Sequence, residues 1–172
     1  MKILALDLSW TSTGYSVGVH SGLIRTSPQK YPNDMDRARY IVDQIRELFA
    51  ANGAELVVIE DFALGASRKN SRAHSTGMLG GIVRWELHRE SIPFALVPPA
   101  SLKKYATGKG NAGKPEVLVA AVRRLGYERA SNDEADAMWL HEMAMAHYAP
   151  DGAVLVPKAH LSALDGVDWP DL

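Results

Sequence analysis

Residues 2–9, Lys-Ile-Leu-Ala-Leu-Asp-Leu-Ser, form an almost unbroken apolar run with one carboxylate near its end. Rich in Ile and Leu and bounded by polar residues, it predicts a strand buried on both faces at the centre of a sheet. Residues 14–20 alternate as a second strand, Ser21-Gly22 reads as a turn, and 23–26 returns as a third, a hairpin by its turn chemistry. Asn33 then caps a helix whose positions Ala38, Ile41, Val42, Ile45, Leu48 and Phe49 keep helical spacing, and Asn52-Gly53 ends it. Residues 55–60, Glu-Leu-Val-Val-Ile-Glu, repeat the buried-strand pattern and again end in an acid. Residues 63–76 predict a mobile basic loop. It leads into a helix of about 15 residues ending near Glu90, with Met78, Leu79, Ile82, Val83 and Leu87 inward. Gly77 and Gly81 on that helix leave room for a close neighbour, either the sheet or a partner subunit.

Phe94–Val97 predicts the last strand, stopped by Pro98-Pro99. Pro115 opens a further helix with Val117, Leu118, Ala121, Val122 and Leu125 inward and Gly126 as its stop. A final helix runs from about Asp133 to His147, capped by Ser131 or Asn132, with Ala135, Met138, Trp139, Met143 and Ala146 as its core face. Five strands interleaved with helices predict an α/β fold built on a mixed sheet. Residues 149–172 carry Pro and acids with little periodicity, so the reading is a domain over 1–148 and a C-terminal tail over 149–172, with one short strand at 154–156.

Composition narrows the class. A chain of 172 residues that is 47% hydrophobic suits one well-cored domain. Without cysteine, disulfides and thiolate metal sites are excluded. Asp7 interrupts the first apolar run too early for a signal-peptide core, and no run reaches transmembrane length, so a soluble cytoplasmic protein with no membrane partner is expected. The net charge of −1 hides an asymmetry: residues 1–124 hold 17 Lys and Arg against 11 Asp and Glu, residues 125–172 only 2 against 9. The basic body suits a phosphate backbone.

The acids carry the candidate chemistry. Asp7 and Glu60 each end a buried strand, where an unpaired carboxylate is costly, and Asp133 and Asp136 stand three apart on one helical face. Singly, each has an ordinary explanation as a turn or helix-start residue. Together they can converge to a hard-oxygen cage for Mg²⁺ or Mn²⁺. Residues 108–114 match the spacing of a phosphate-binding P-loop, but Pro115 stands where a Ser or Thr is needed and no strand precedes it, so the match is rejected. Lys103, Lys104, Lys109 and Lys114 nonetheless cluster on Gly-rich backbone that suits phosphate contact.

In order, Asp7 with Ser-Thr-Gly at 12–14, Ile-Glu at 59–60 with Phe62, Thr-Gly-Lys-Gly at 107–110 with Lys114, and Asp133 with Ala-Asp-Ala at 135–137 resemble the RuvC-type Holliday junction resolvases. The resemblance spans the chain to about Tyr148, and its pattern is closer to phage-encoded members. Leu8-Ser9 stands where bacterial members carry Pro-Gly. It implies a ribonuclease H-like fold, a homodimer, four-way or branched DNA as substrate, and metal-dependent nicking. By position, Asp7, Glu60, Asp133 and Asp136 fall on the family's four metal-binding acids, with two Mg²⁺ per site and Mn²⁺ as a substitute. Phe62 would wedge between bases at the crossover, while Arg68, Lys69, Arg72 and the four lysines would contact DNA. Two other readings share these features: a ribonuclease H-like enzyme on RNA–DNA hybrids, and a non-catalytic junction-binding module. An actin-like sugar kinase would need a second such domain, which this length does not supply.

Overall fold

Alternation along β1 (Ile3–Asp7) decides what each face of the sheet does. Leu4 and Leu6 point to one side, and Ile3, Ala5 and Asp7 to the other. The computed structural model describes residues 1–62, 71–129 and 131–172, with 71–74 as backbone only. β2 (Ser12–Val17) and β3 (His20–Arg25) run antiparallel beside β1, while β4 (Leu56–Glu60) and β5 (Phe94–Val97) lie parallel on its other edge, in the order β3-β2-β1-β4-β5. The expected five-stranded mixed sheet is thus present, with β1 at its centre.

The hairpin turn sits three residues earlier than the sequence suggested. Val17 pairs with His20, leaving Gly18-Val19 as the loop, and Gly18 holds the positive φ of 58° that such a tight turn demands. Gly22 serves another purpose. It lies opposite Tyr15 inside the ladder, and a Cβ there would meet the Tyr15 hydroxyl at 2.7 Å.

α1 (Asp34–Asn52) and α2 (Ser71–Arg89) cover the face of Leu4, Leu6, Val57 and Ile59. Asn33 accepts from the Met35 amide at 2.7 Å and Gly53 ends α1 in the left-handed region, as the sequence implied. α3 (Pro99–Thr107), α4 (Lys114–Leu125) and α5 (Asn132–Tyr148) cover the face of Ile3, Ala5, Val58 and Val97. α3 was not expected. The prolines read as a stop instead start it: Pro99 sits in its first turn, where no amide partner is needed, and Leu102, Tyr105 and Ala106 are buried at helical spacing. Lys103 and Lys104 are therefore helical rather than on a loop. Val122, expected inward on α4, is 50% exposed, because Val117 and Ala121 alone face the core squarely.

α5 is buried on nearly all sides, with Ala135, Trp139, Leu140, Met143 and Ala144 sealed between the sheet and α4. The small residues bring it down onto β2. A Cβ on Gly14 would lie 1.9 Å from the Asp133 carbonyl oxygen, so only glycine lets the start of α5 rest there.

Residues 149–172 are not a loose tail, and 154–156 form no strand. A short α6 (Lys158–Leu161) and flanking 3₁₀ turns lay Ala163 and Val167 into the core. His160 Nδ1 donates to the Tyr105 carbonyl at 2.8 Å, and Trp169 stacks on His147 with ring centroids 4.9 Å apart. Too few apolar residues repeat there for periodicity to show the packing. Among the described residues, no helix is long and apolar enough to cross a membrane.

Two glycine substitutions should move stability in opposite directions. Gly14→Ala forces α5 off the sheet and should cost about 1–3 kcal/mol. At Gly81 a Cβ meets nothing within 4 Å, so Gly81→Ala should gain about 0.5–1 kcal/mol. Urea denaturation reads both, and equal effects would contradict this account of Gly14.

Candidate active site

β1 and β4 are parallel, with Leu6 beside Ile59, so the next step of the register puts Asp7 beside Glu60. By alternation both carboxylates project toward α5. Ser131 caps α5 by accepting from the Glu134 amide, which sets Asp133 in the first turn and Asp136 one turn along, above the strand ends. Asp7, Glu60 and Asp136 each present one carboxylate oxygen within 4.8 Å of the others. Asp136 is 9% exposed, and the other two are half-buried.

Such proximity changes their proton affinity. Burial first, then the charges of Glu60, Asp136 and Asp133, push Asp7 well above the usual carboxylate range. Burial, reinforced by Asp136, raises Glu60 to about 7, against the opposing effects of its hydrogen bond with Asp7 and of Lys114 and Lys103. Burial raises Asp136 to about 6, with Asp133 adding to the rise while Lys114 and Lys103 oppose it. Three acids that resist ionising together, all oxygen donors, fit a divalent cation whose charge removes the conflict.

Asp133 stands at the rim. Its side chain is 28% exposed and pairs with Lys114 Nζ at 3.9 Å, outside the three-acid cluster. Lys114, at the start of α4, and Lys103, on α3, both act on the carboxylates; Lys104 and Lys109 are not among the charges that shift them. Phe62 packs over Gly80, where a Cβ would meet its ring at 1.8 Å, and Arg84 lies over the ring at 5.9 Å. It is thus part of the α2 packing. Arg68 and Lys69 lie outside the described residues, as does the Arg72 side chain.

Two features went unread in the sequence. The turn after β1 is closed by Thr13, whose hydroxyl accepts from the Ser9 amide at 3.2 Å and donates to the Ser9 carbonyl at 2.8 Å. Trp10 ties the same turn to α2 by donating from its indole to the Ser75 carbonyl at 2.7 Å, and Arg37 donates to the Trp10 carbonyl at 2.7 Å. The second is Gly14, which lies opposite Asp7 in the ladder and seats the α5 terminus. The glycine that follows the polar Ser-Trp-Thr-Ser-Thr stretch after Asp7 was the usable signal for it.

Comparison with known proteins agrees with this geometry. The family model for crossover junction endodeoxyribonuclease RuvC matches residues 3–147. A crossover junction endodeoxyribonuclease RuvC from Parasynechococcus marenigrum is 32% identical over 149 residues, covering 80% of this chain and 94% of the relative. One from Nocardia farcinica is 29% identical over 151 residues, covering 81% and 78%. Among solved structures, Thermus thermophilus RuvC in complex with a Holliday junction substrate superposes with a TM-score of 0.70 at 24% identity, over 90% of this chain and 98% of that one. The shared architecture is the ribonuclease H-like mixed sheet. Since the family match runs from the strand that carries Asp7 to the helix that carries Asp136, the chain belongs to the crossover junction endodeoxyribonuclease RuvC family.

Proposed function

We propose that this protein is a divalent-metal-dependent endodeoxyribonuclease that resolves four-way junctions and related branched DNA by paired nicking. The convergence of Asp7, Glu60 and Asp136 carries the reading. Mg²⁺ held by these three acids, with Mn²⁺ as a substitute, would activate water and stabilise the leaving oxygen of a phosphodiester. Asp7, on the central strand, lies close to both Glu60 and Asp136 and would share a metal with them. Asp133, 28% exposed at the rim, would help orient the attacking water. Lys114 and Lys103 flank the acids and would neutralise the phosphate that approaches them. Lys104 and Lys109 extend the basic surface along α3 and its end, and Arg68, Lys69 and Arg72 would do so from the segment before and into α2. Phe62 would wedge between bases at the crossover by leaving its seat on Gly80.

Paired nicks need two subunits, because one active site reaches one strand and a four-way junction has approximate two-fold symmetry. The outward face of α2 is the candidate contact. Met78 and Trp85 are 42% and 57% exposed, and Gly77 and Gly81 face open space rather than the chain's own sheet. A homodimer at micromolar concentration in sedimentation experiments, weakened by Trp85→Ala, is the expected outcome; a monomer with unpaired nicks would favour cleavage of hybrids instead.

Asp7→Asn, Glu60→Gln and Asp136→Asn should each remove cleavage of a synthetic four-way junction while preserving binding in a gel-shift assay, since each removes a ligand without adding bulk. Asp133→Asn should be milder. Side-by-side assays on junction, fork and RNA–DNA hybrid test substrate choice, and wild-type nicking by any of the first three variants would refute the site.

The raised acids also make stability pH-dependent without metal. Below about pH 4 Glu60 is protonated both folded and unfolded, and contributes nothing. As pH rises, the unfolded carboxylate ionises first, so the fold loses stability until about pH 7, where the folded group ionises too. In EDTA, Glu60→Gln should therefore raise Tm at pH 8 and change it little at pH 4. Equal shifts at both would place the effect elsewhere.

Lys103→Ala and Lys114→Ala should each weaken binding on all DNA sequences alike and flatten the log–log salt dependence by about one unit. Unchanged slopes would make them solvated surface charges.

A further inference from the structure

Beside the carboxylates, on the same face of the sheet, lies a second polar site formed by β2, β3 and the start of α5. The ladder pairs Ser12 with Arg25 and Gly14 with Leu23, so these side chains share the face toward α5 with Asp7. A cavity of about 590 Å³ opens there, lined by Ser12, Leu23, Arg25, Arg129, Ser131 and Glu134. Its only acid is Glu134, which is 2% exposed and already satisfied. Glu134 Oε1 accepts from Ser21 Oγ at 2.7 Å and Arg129 Nη1 at 2.8 Å, and Oε2 accepts from Tyr127 Oη at 3.2 Å. The buried carboxylate fixes one nitrogen of Arg129, while the Arg129 side chain stays 67% exposed and keeps its other donors for the cavity. Arg25 is exposed and pairs with no acid among the described residues. The cavity is therefore a concentration of donors and positive charge with no free acceptor of its own charge.

We infer that this cavity is a phosphate subsite, in which Arg25 and Arg129 grip one backbone phosphodiester of the bound nucleic acid away from the bond being cut. This inference rests on the nuclease reading of the adjacent carboxylates. Two guanidinium groups with flanking hydroxyls match the tetrahedral oxygens of a phosphodiester, and the lack of an apolar floor beyond Leu23 argues against a base. β3 lies two strands from β1, or about 10 Å at the usual spacing. At roughly 3.4 Å of axial rise per nucleotide, the least distance a strand advances, that places the gripped phosphate within about three nucleotides of the scissile one. The subsite would set the register of the strand, so that the carboxylates meet one bond and not its neighbours. Glu134 is then a positioning residue acting through Arg129.

The test is junction binding without turnover, in an Asp7→Asn background, across a KCl series. Arg25→Gln should weaken binding roughly tenfold at low salt and lower the salt slope by about one, and Arg129→Gln should do the same. Arg25 stands outside the buried Glu134 network, so its variant separates loss of a contact from loss of the fold. Junctions with a single methylphosphonate locate the contact. Neutralising one phosphate within about three nucleotides of the cut should weaken the Asp7→Asn chain and have a smaller effect on the Arg25→Gln chain, which keeps only the Arg129 contact. Unchanged affinity and slope in both arginine variants, or a loss that no single phosphate reproduces, would overturn the subsite alone. Failure of the Asp7→Asn chain to bind any DNA would overturn the nuclease reading with it.

Discussion

Three carboxylates crowd one point where two strands end beneath a helix, and the fold is arranged to keep them there against their mutual repulsion. Asp7 and Glu60 are brought together by a parallel register that buried aliphatic residues enforce on both faces of the sheet. Asp136 is brought to them by a helix buried on nearly every side, which cannot slide without exposing Trp139 and Met143. Gly14 supplies the clearance that lets the helix start so close to the strands. Hydrophobic burial thus offsets a local electrostatic cost, which protonation eases and a bound cation would remove. That arrangement suits the cluster to hold a divalent metal.

The central strand and the acids were legible because two independent signals coincided on them. A short, Ile- and Leu-rich run that is apolar on both faces reads as a central strand, and an acid at the end of such a run needs a partner. α1 was equally legible, since Asn33 and Gly53 mark its ends chemically. The hairpin turn was misplaced because Ser21-Gly22 carries turn chemistry, whereas Gly22 is small in order to admit the Tyr15 ring opposite it. Nothing local distinguishes a glycine that bends the chain from one that makes room for a neighbour.

α3 and the C-terminal segment were illegible for a related reason. Pro98-Pro99 looks like punctuation, yet a proline in the first helical turn costs nothing, and a nine-residue helix offers too few positions for periodicity to show. Residues 149–172 hold their place through scattered contacts, such as His160 to the Tyr105 carbonyl, that no local pattern announces. Those contacts bear on the site, because α3 carries Lys103. The surroundings of Glu134 were hidden in the same way. In sequence it is one acid among several at a helix start, and only the tertiary fold separates it from the cluster and gives it Ser21, Tyr127 and Arg129 as partners.

With their raised proton affinities, Asp7, Glu60 and Asp136 hold protons in the apo state that a bound divalent cation would displace. Calorimetric titration of the metal-free chain with Mn²⁺, repeated in buffers of different ionisation enthalpy, counts the protons released on binding. With Glu60 raised to about 7 and Asp136 to about 6, saturable binding at pH 6 should release at least about one proton, and the release should shrink by pH 8. Binding with no proton release at pH 6, or with release unaltered by Glu60→Gln, would contradict the account.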